Sequence, residues 1–184
     1  MIEDSIKSRR SVFPAQYDHI PIPREIIEKA LEMASWAPTH KKTEPWRFKV
    51  FHSALSKKDL SEFLSTTYQD ITPNFSVFKQ QKISQKVAQS GCVIAICMKR
   101  DPKEVIPEWE EIAAVAMAVQ NMWLYCSENG VGCYWSSPKL MNYLHEHVTM
   151  EDGERCLGFF YMGMFSGESL EGQRTSIEAK TTWV

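Results

Sequence analysis

One long helix in the middle of the chain constrains the fold more than any other segment. Pro107 precedes it and Gly130 ends it, because proline suits the first turn of a helix and glycine suits the residue after its last turn. Residues 113–119 are apolar on every side of this helix. A helix without a polar side has to be buried. In a chain of 184 residues, a core or a subunit interface could bury it.

Predicted strands alternate with predicted helices along the rest of the chain. The continuous apolar run from Cys92 to Met98 is typical of a central strand. Further strands are predicted over 47–52, 131–135 and 156–165, and helices over 3–10, 23–37, 55–68, 74–90, 108–129 and 138–147. Four or five strands among these helices favour an α+β helix–sheet–helix sandwich in a single domain, residues 1–184. No G-x-G-x-x-G motif follows a strand, which argues against a Rossmann fold.

The C-terminal tail also has strand-forming character. Residues 181–184 read Thr-Thr-Trp-Val and follow Ile177. A large aromatic side chain at a terminus is costly to leave in water, so we expect this segment to join a sheet, either in its own subunit or in a partner.

Composition excludes several classes of function. The formal net charge is -2, which gives no reason to expect nucleic acid or an acidic membrane as a partner. No stretch approaches the roughly 20 apolar residues of a membrane span. The five cysteines are odd in number and lack C-x-x-C spacing, so they predict neither a disulfide framework nor a metal site. A reducing, cytoplasmic location is the expectation.

Two segments in the first quarter of the chain could bind a ligand. Arg9, Arg10 and Ser11 lie at the end of the first predicted helix, and their donors match a phosphate. The alternative is a solvated basic helix end. The loop that contains Trp36, Thr39 and His40 joins a helix to a strand and is rich in donors and aromatic side chains. It could cover a flat cofactor, or it could be an ordinary solvated turn.

Two later segments are further candidates. Trp135, Ser136 and Ser137 follow a strand and precede a helix, where free backbone N–H groups can meet a ligand. Alternatively, one of the two serines caps the helix that Pro138 opens. Arg174 in the tail could close on a phosphate, although a lone arginine is more often a solvated side chain.

Taken together and in this order, the segments resemble the nitroreductase family over nearly the whole chain. The motifs that carry the resemblance are Arg9-Arg10-Ser11, Ala37-Pro38 through Pro45-Trp46, the alanine-rich helix at 113–119, the turn Gly130 to Gly132, Trp135-Ser136-Ser137, Leu157-Gly158 to Gly163, and Arg174 to Glu178. Each motif is moderately specific, and the ordered set is much more so.

The resemblance implies a nitroreductase-like fold with a mostly antiparallel central sheet, in a homodimer that exchanges its C-terminal arms. It also implies one non-covalent FMN per subunit at the dimer interface. Arg9, Arg10, Ser11 and Arg174 would hold the phosphate and ribityl chain, and Trp135, Ser136 and Ser137 would line the ring. Trp36, Thr39 and His40 match positions that contact FMN from the partner subunit.

The expected activity is ping-pong transfer of hydride from NADH or NADPH, through flavin N5, to an electron-poor small molecule such as a nitroaromatic or a quinone. In that chemistry the flavin reacts and no catalytic side chain or metal is required. Three alternatives remain open at this stage. The chain could be a flavin-binding or storage protein without turnover, a specialised flavoenzyme of the same fold such as a dehalogenase or a flavin-degrading enzyme, or an interaction module without a cofactor.

Overall fold

Four antiparallel strands form one sheet at the centre of the protein. The computed structural model describes residues 1–168 and 171–184. Strands β1 (Trp46–Phe51), β2 (Cys92–Lys99), β3 (Val131–Ser136) and β4 (Glu154–Met164) pair in the order β1-β2-β4-β3. The predicted mostly antiparallel sheet of four to five strands is confirmed.

Helices cover both faces of this sheet. α2 (Arg24–Ser35) and α5 (Glu108–Glu128) pack on one face, while α3 (Ala54–Ile71), α4 (Val77–Gln89) and a 3-10 helix (Lys139–Glu146) pack on the other. Successive residues of β2 alternate between the two layers, because Ile94 contacts the first core and Ala95 the second. The predicted α+β sandwich of helix, sheet and helix is therefore confirmed.

Helix α5 is not buried on every side within the single chain. Its inner face supplies Ala114, Val115 and Ala118 to the core, whereas Ala116 and Met117 are exposed. The Asn129 C-cap and the left-handed Gly130 (φ 67°) end the helix as expected. The core thus accounts for one side of the apolar stretch, and the other side faces outward.

The chain ends differ from the sequence prediction. Helix α1 (Ile2–Ser8) buries no residue and ends before Arg9, not at residue 10. Residues 181–184 were predicted to join a sheet in their own subunit or in a partner. Within the subunit they form no strand and all four side chains are exposed, so the prediction remains for a partner only. A four-residue segment can form strand hydrogen bonds only where the edge of a sheet lies beside it.

None of the helices formed by residues 1–168 and 171–184 has the length and apolar character needed to cross a membrane.

Tyr17 fastens the segment between α1 and α2 to the sheet. Its buried hydroxyl lies 3.1 Å from the carbonyl oxygen of Val12 and 3.0 Å from that of Tyr161 in β4. The ring lies flat on Gly163, where a β-carbon would collide with it. The Val12 N–H donates to the Cys133 carbonyl of β3 at 2.9 Å. Residues 9–12 are thereby held against the edge of the sheet.

We expect Tyr17→Phe to lower the free energy of unfolding by about 1–3 kcal/mol, because it removes the donor shared by two buried carbonyl groups and leaves the ring in place. Urea denaturation measures this loss. Tyr143→Phe is the matched control, since the hydroxyl of Tyr143 makes no hydrogen bond within the described chain. Equal stabilities for the two variants would contradict the anchoring role of Tyr17.

Candidate functional site

Arg9 and Arg10 lie beside the start of β3, and Arg174 of the tail is near enough for its charge to lower the pKa of Arg9. Arg9 has an extended backbone (φ -56°, ψ 125°), so the chain leaves α1 and runs along the sheet. Its guanidinium lies over the ring of Trp123 in α5, 4.6 Å from the centroid. In the tail, Gly172 lies directly against the Arg10 guanidinium, where a β-carbon would collide. We call Arg9, Arg10 and Arg174 the arginine cluster.

Arg9 is the member of the arginine cluster whose charge is disfavoured. Burial lowers the pKa of Arg9 from its ordinary value, and the positive charges of Arg10 and Arg174 lower it further. Within residues 1–168 and 171–184, neither Arg9 nor Arg174 forms an ion pair with a carboxylate. An anion bound near Arg9 would favour its charged form.

A cleft of about 140 Å³ lies next to the cluster. It is lined by Arg10, Val12, Trp123, Ser127, Gly130, Val131, Gly132, Phe165 and Gly167. Ser11 pairs with Cys133 through an isolated parallel bridge, and its side chain is exposed. Of the four predicted residues, Arg10 therefore lines the cleft, Arg9 contacts Trp123 in its wall, and Ser11 is exposed beside it in sequence.

The loop with Trp36, Thr39 and His40 is well ordered by internal contacts. The backbone N–H of Glu44 donates to the Thr39 hydroxyl at 3.2 Å, and His40 Nδ1 lies 2.5 Å from Oε2 of Glu110 in α5. Trp36 is 76% exposed, which is unusual for so large an apolar side chain.

The same loop carries backbone strain. Lys41, Lys42 and Glu44 have left-handed φ values of 54°, 55° and 42°. Non-glycine residues in this region cost of the order of 1 kcal/mol each, and such residues concentrate at binding sites. The exposed Trp36 and the strained turn are two features of a surface built to meet something outside the chain.

The third predicted segment lies at the other end of β3. The Trp135 indole Nε1 is buried and has no hydrogen-bond partner among the described residues. It lies against Gly158, whose φ of 145° and closeness to Nε1 and to the Ser136 carbonyl oxygen leave no room for a β-carbon. Ser136 is half-buried and Ser137 is exposed.

The capping alternative for these serines is wrong. Pro138 is itself the N-cap of the 3-10 helix, and no side chain caps that helix end. Neither serine hydroxyl is therefore engaged in capping. Because Pro138 already lacks an N–H, fewer donors at this helix start need a cap.

The structure brings some predicted residues together and keeps others apart. Strand β3 connects the arginine cluster to Ser136. Gly132 lies beside the cluster, and Ser136 follows about 14 Å further along the strand. The His40 loop contacts Glu110 near the start of α5, whereas Arg9 contacts Trp123 near its end, about 20 Å away at 1.5 Å per residue. Within one chain, the His40 loop does not join the arginine cluster.

Several residues that shape the site were not predicted as site residues. Trp123 sits in an apolar helix, so its contact with Arg9 has no distinct sequence signal. Gly172 and Gly158 are recognisable only as glycines, and their role depends on which side chain lies against them. The closely spaced glycines at 163 and 167 were the one available signal of a crowded turn.

Three comparisons with known proteins point to the same family. Residues 6–164 match the family model described as the nitroreductase family. A nitroreductase-like family protein from Bacillus cereus has a solved structure that superposes with a TM-score of 0.86 at 27% identity, covering 100% of this chain and 96% of that one.

Two further relatives support the same grouping. A Bacillus subtilis protein, which bears the provisional name of an NAD(P)H nitroreductase, is 27% identical over 99% of this chain and 93% of its own length. A nitroreductase from Bacteroides fragilis, solved with bound FMN, shares the fold at a TM-score of 0.72 and 18% identity, with 100% of this chain and 98% of that chain covered.

Proposed function

Because this chain belongs to the nitroreductase family, we propose that it is an FMN-dependent oxidoreductase that takes hydride from NADH or NADPH. The observation that carries the proposal is the surface formed by Arg9 over Trp123, Arg10 in the wall of the adjoining cleft and Gly172 of the tail against Arg10. Burial and the charges of Arg10 and Arg174 lower the pKa of Arg9, and a phosphate monoester would favour its charged form.

The residues of this surface fit the phosphate end of FMN. Arginine presents planar, forked donors that bind two phosphate oxygens at once. Ser11, the next residue after Arg10, has an exposed hydroxyl that could add a donor. The contact with the Trp123 ring orients the Arg9 guanidinium group. We assign the phosphate and the adjoining ribityl chain to Arg9, Arg10, Ser11 and Arg174.

The ring of the flavin is assigned to the other end of β3. Trp135 provides an apolar plane and a buried indole N–H without a partner, and Ser136 and Ser137 have hydroxyls that no helix cap uses. Trp36, Thr39 and His40 belong to a loop about 20 Å along α5 from the arginine cluster, and the resemblance to the family matches them to positions that contact FMN from the partner subunit. We therefore propose that they contact FMN bound mainly by the partner subunit.

When bound, the flavin would accept hydride from NADH or NADPH in one half-reaction and donate it to a nitroaromatic or a quinone in the other. The chain contributes binding, orientation and electrostatics. The exposed Lys41 and Lys42 lie in the loop that we assign to the ring and add positive charge there. They could also favour NADPH through its 2′-phosphate. We assign no catalytic side chain and no metal, and the five free, buried cysteines are consistent with a cytoplasmic location.

We expect Arg10→Ala to weaken FMN binding about 10- to 100-fold, because a charge-assisted hydrogen bond contributes about 1.5–3 kcal/mol. Fluorescence quenching of FMN during titration measures the dissociation constant. Arg24→Ala is the matched control, since Arg24 is an exposed arginine on α2 that pairs only with Glu28. An unchanged FMN affinity in folded Arg10→Ala protein would remove the phosphate assignment.

The proposed homodimer has support in two exposed apolar surfaces. One is the outer side of α5, where Trp109, Ala113, Ala116 and Met117 recur at helical spacing and Trp109 is 67% exposed. The other is the tail, where Trp183 is 94% exposed. Apolar side chains of this size are uncommon in solvent on a monomer. We propose that a second copy of the chain covers both and that the tails are exchanged.

Deletion of residues 177–184 should shift the protein from dimer toward monomer in analytical ultracentrifugation, because it removes Ile177 and Trp183 from the proposed interface. Leu55→Ser is the matched control, since Leu55 is as exposed as Ile177 (68% each) but lies on α3, in the opposite helical layer. A truncated protein that remains dimeric at the same concentrations would refute the exchanged tail.

A further inference from the structure

Two cysteines of the sheet lie directly opposite each other, on the face away from α5. Cys97 in β2 is the register partner of Cys156 in β4, and both belong to the core beneath α3 and the 3-10 helix. Directly opposite residues of an antiparallel pair have Cα atoms about 4.5 or 5.5 Å apart. A disulfide spans Cα separations of about 4.4–6.8 Å. The backbone of the two strands therefore already has the spacing of a disulfide.

A β-bulge is the reason that the two thiols share a face. Ile96 pairs with Gly158 and Cys97 with Cys156, so Leu157 is an extra residue without a partner. Without the bulge, Cys156 would face the same side as Gly158 and lie on the opposite surface of the sheet from Cys97. The extra residue turns Cys156 toward the side occupied by Phe159 and Cys97.

Cys156 is buried but keeps 5% of its surface exposed at the wall of a cleft. A cleft of about 210 Å³ has Cys156 in its wall, together with Met141, Met150 and His145. Cys97 is completely buried behind it. A molecule of water occupies about 30 Å³ of liquid, so the cleft is large enough for a small oxidant such as hydrogen peroxide.

Polar groups lie beside the pair. Glu154 is in the wall of the same cleft and pairs with Lys49, whose Nζ lies 2.9 Å from Oε1. The hydrogen bond with Cys97 lowers the pKa of Cys156 from its ordinary value, while burial and the charge of Glu154 act against that shift. Thiolate character and access govern reactivity toward peroxides, and Cys156 is the thiol that borders the cleft.

We propose that Cys97 and Cys156 form a modification site, a dithiol that a hydroperoxide in the cleft oxidises to a disulfide between β2 and β4. Cys156 is the attacking residue and Cys97 is the resolving residue. The site is independent of the flavin assignment, since it lies on the other face of the sheet and requires no cofactor.

The reaction balances with hydrogen peroxide as the only oxidant. The Cys156 thiolate attacks one peroxide oxygen, so that an S–O bond forms, the O–O bond breaks and hydroxide leaves. The Cys97 sulfur then attacks the Cys156 sulfur, so that the S–S bond forms and the S–O bond breaks. The hydroxide released in the first step takes the proton that Cys156 lost on ionisation, and the hydroxide released in the second step takes the Cys97 proton. Two thiols and one peroxide give one disulfide and two waters.

The test is treatment of the reduced full-length protein with one equivalent of hydrogen peroxide, followed by alkylation and peptide mass spectrometry. We expect a peptide pair linked through Cys97 and Cys156, a loss of two hydrogen atoms per chain, and reversal by dithiothreitol. Cys97→Ser should stop the reaction at a sulfenic acid on Cys156, which dimedone labels. Cys156→Ser should abolish both products.

Cys126 and Cys133 provide an internal control, because they also interact with each other but are fully buried in the other core. Cys156 should react at least about 10-fold faster than Cys133. The proposal is overturned if the Cys126–Cys133 pair is oxidised as fast as Cys97 and Cys156. It is also overturned if peroxide modifies only Met141 or Met150 and leaves Cys156 a free thiol.

Discussion

The burial of the Arg9 guanidinium beside other positive charges is the constraint on which the proposed site depends. Burial and the charges of Arg10 and Arg174 lower the pKa of Arg9. Arg9 and Arg10 come from the first ten residues and Arg174 from the last eleven, so the fold brings distant segments to one region. The hydrogen bonds of Tyr17 to Val12 and Tyr161 hold the first segment. The close approach of Gly172 to Arg10 places the second. An anion in the adjoining cleft is the species that would offset the electrostatic cost.

The length of α5 has an equally direct consequence for the proposed binding site. One end of this helix contacts the His40 loop through Glu110, and the other supports Arg9 through Trp123. A rigid helix keeps these contacts about 20 Å apart, so one subunit cannot bring both groups to one end of the same ligand. The exposed outer side of α5 offers a surface on which a second subunit could bring the missing loop. The proposed dimer and the proposed FMN site therefore depend on each other.

The sequence was sufficient to predict the layers and the sheet, because hydrophobic periodicity reports burial and burial organises the core. β2 was recognised from its continuous apolar run, and α5 from its flanking proline and glycine. The outward face of α5 was harder to predict, since an apolar face that meets a partner looks the same as one that meets a core. The tail at 181–184 shows the same difficulty, because a strand needs an edge that the local sequence does not reveal.

The candidate site was predicted in part for similar reasons. Arg9, Arg10 and Arg174 have the donors that a phosphate needs, and their residue types are visible in the sequence. The position of Trp123 beneath Arg9 depends on helix packing and had no separate signal. The pairing of Cys97 with Cys156 was hidden by the bulge at Leu157, because the two-residue period of a regular strand places Cys156 on the wrong face.

The absorbance spectrum of the purified protein shows whether the chain binds a flavin that NADH or NADPH can reduce. The protein is mixed with FMN, excess FMN is removed, and NADPH or NADH is added without oxygen. We expect a protein-bound flavin spectrum that bleaches when the nucleotide is added. A protein that retains no flavin, or one whose bound flavin stays oxidised with both nucleotides, would contradict the proposed oxidoreductase activity.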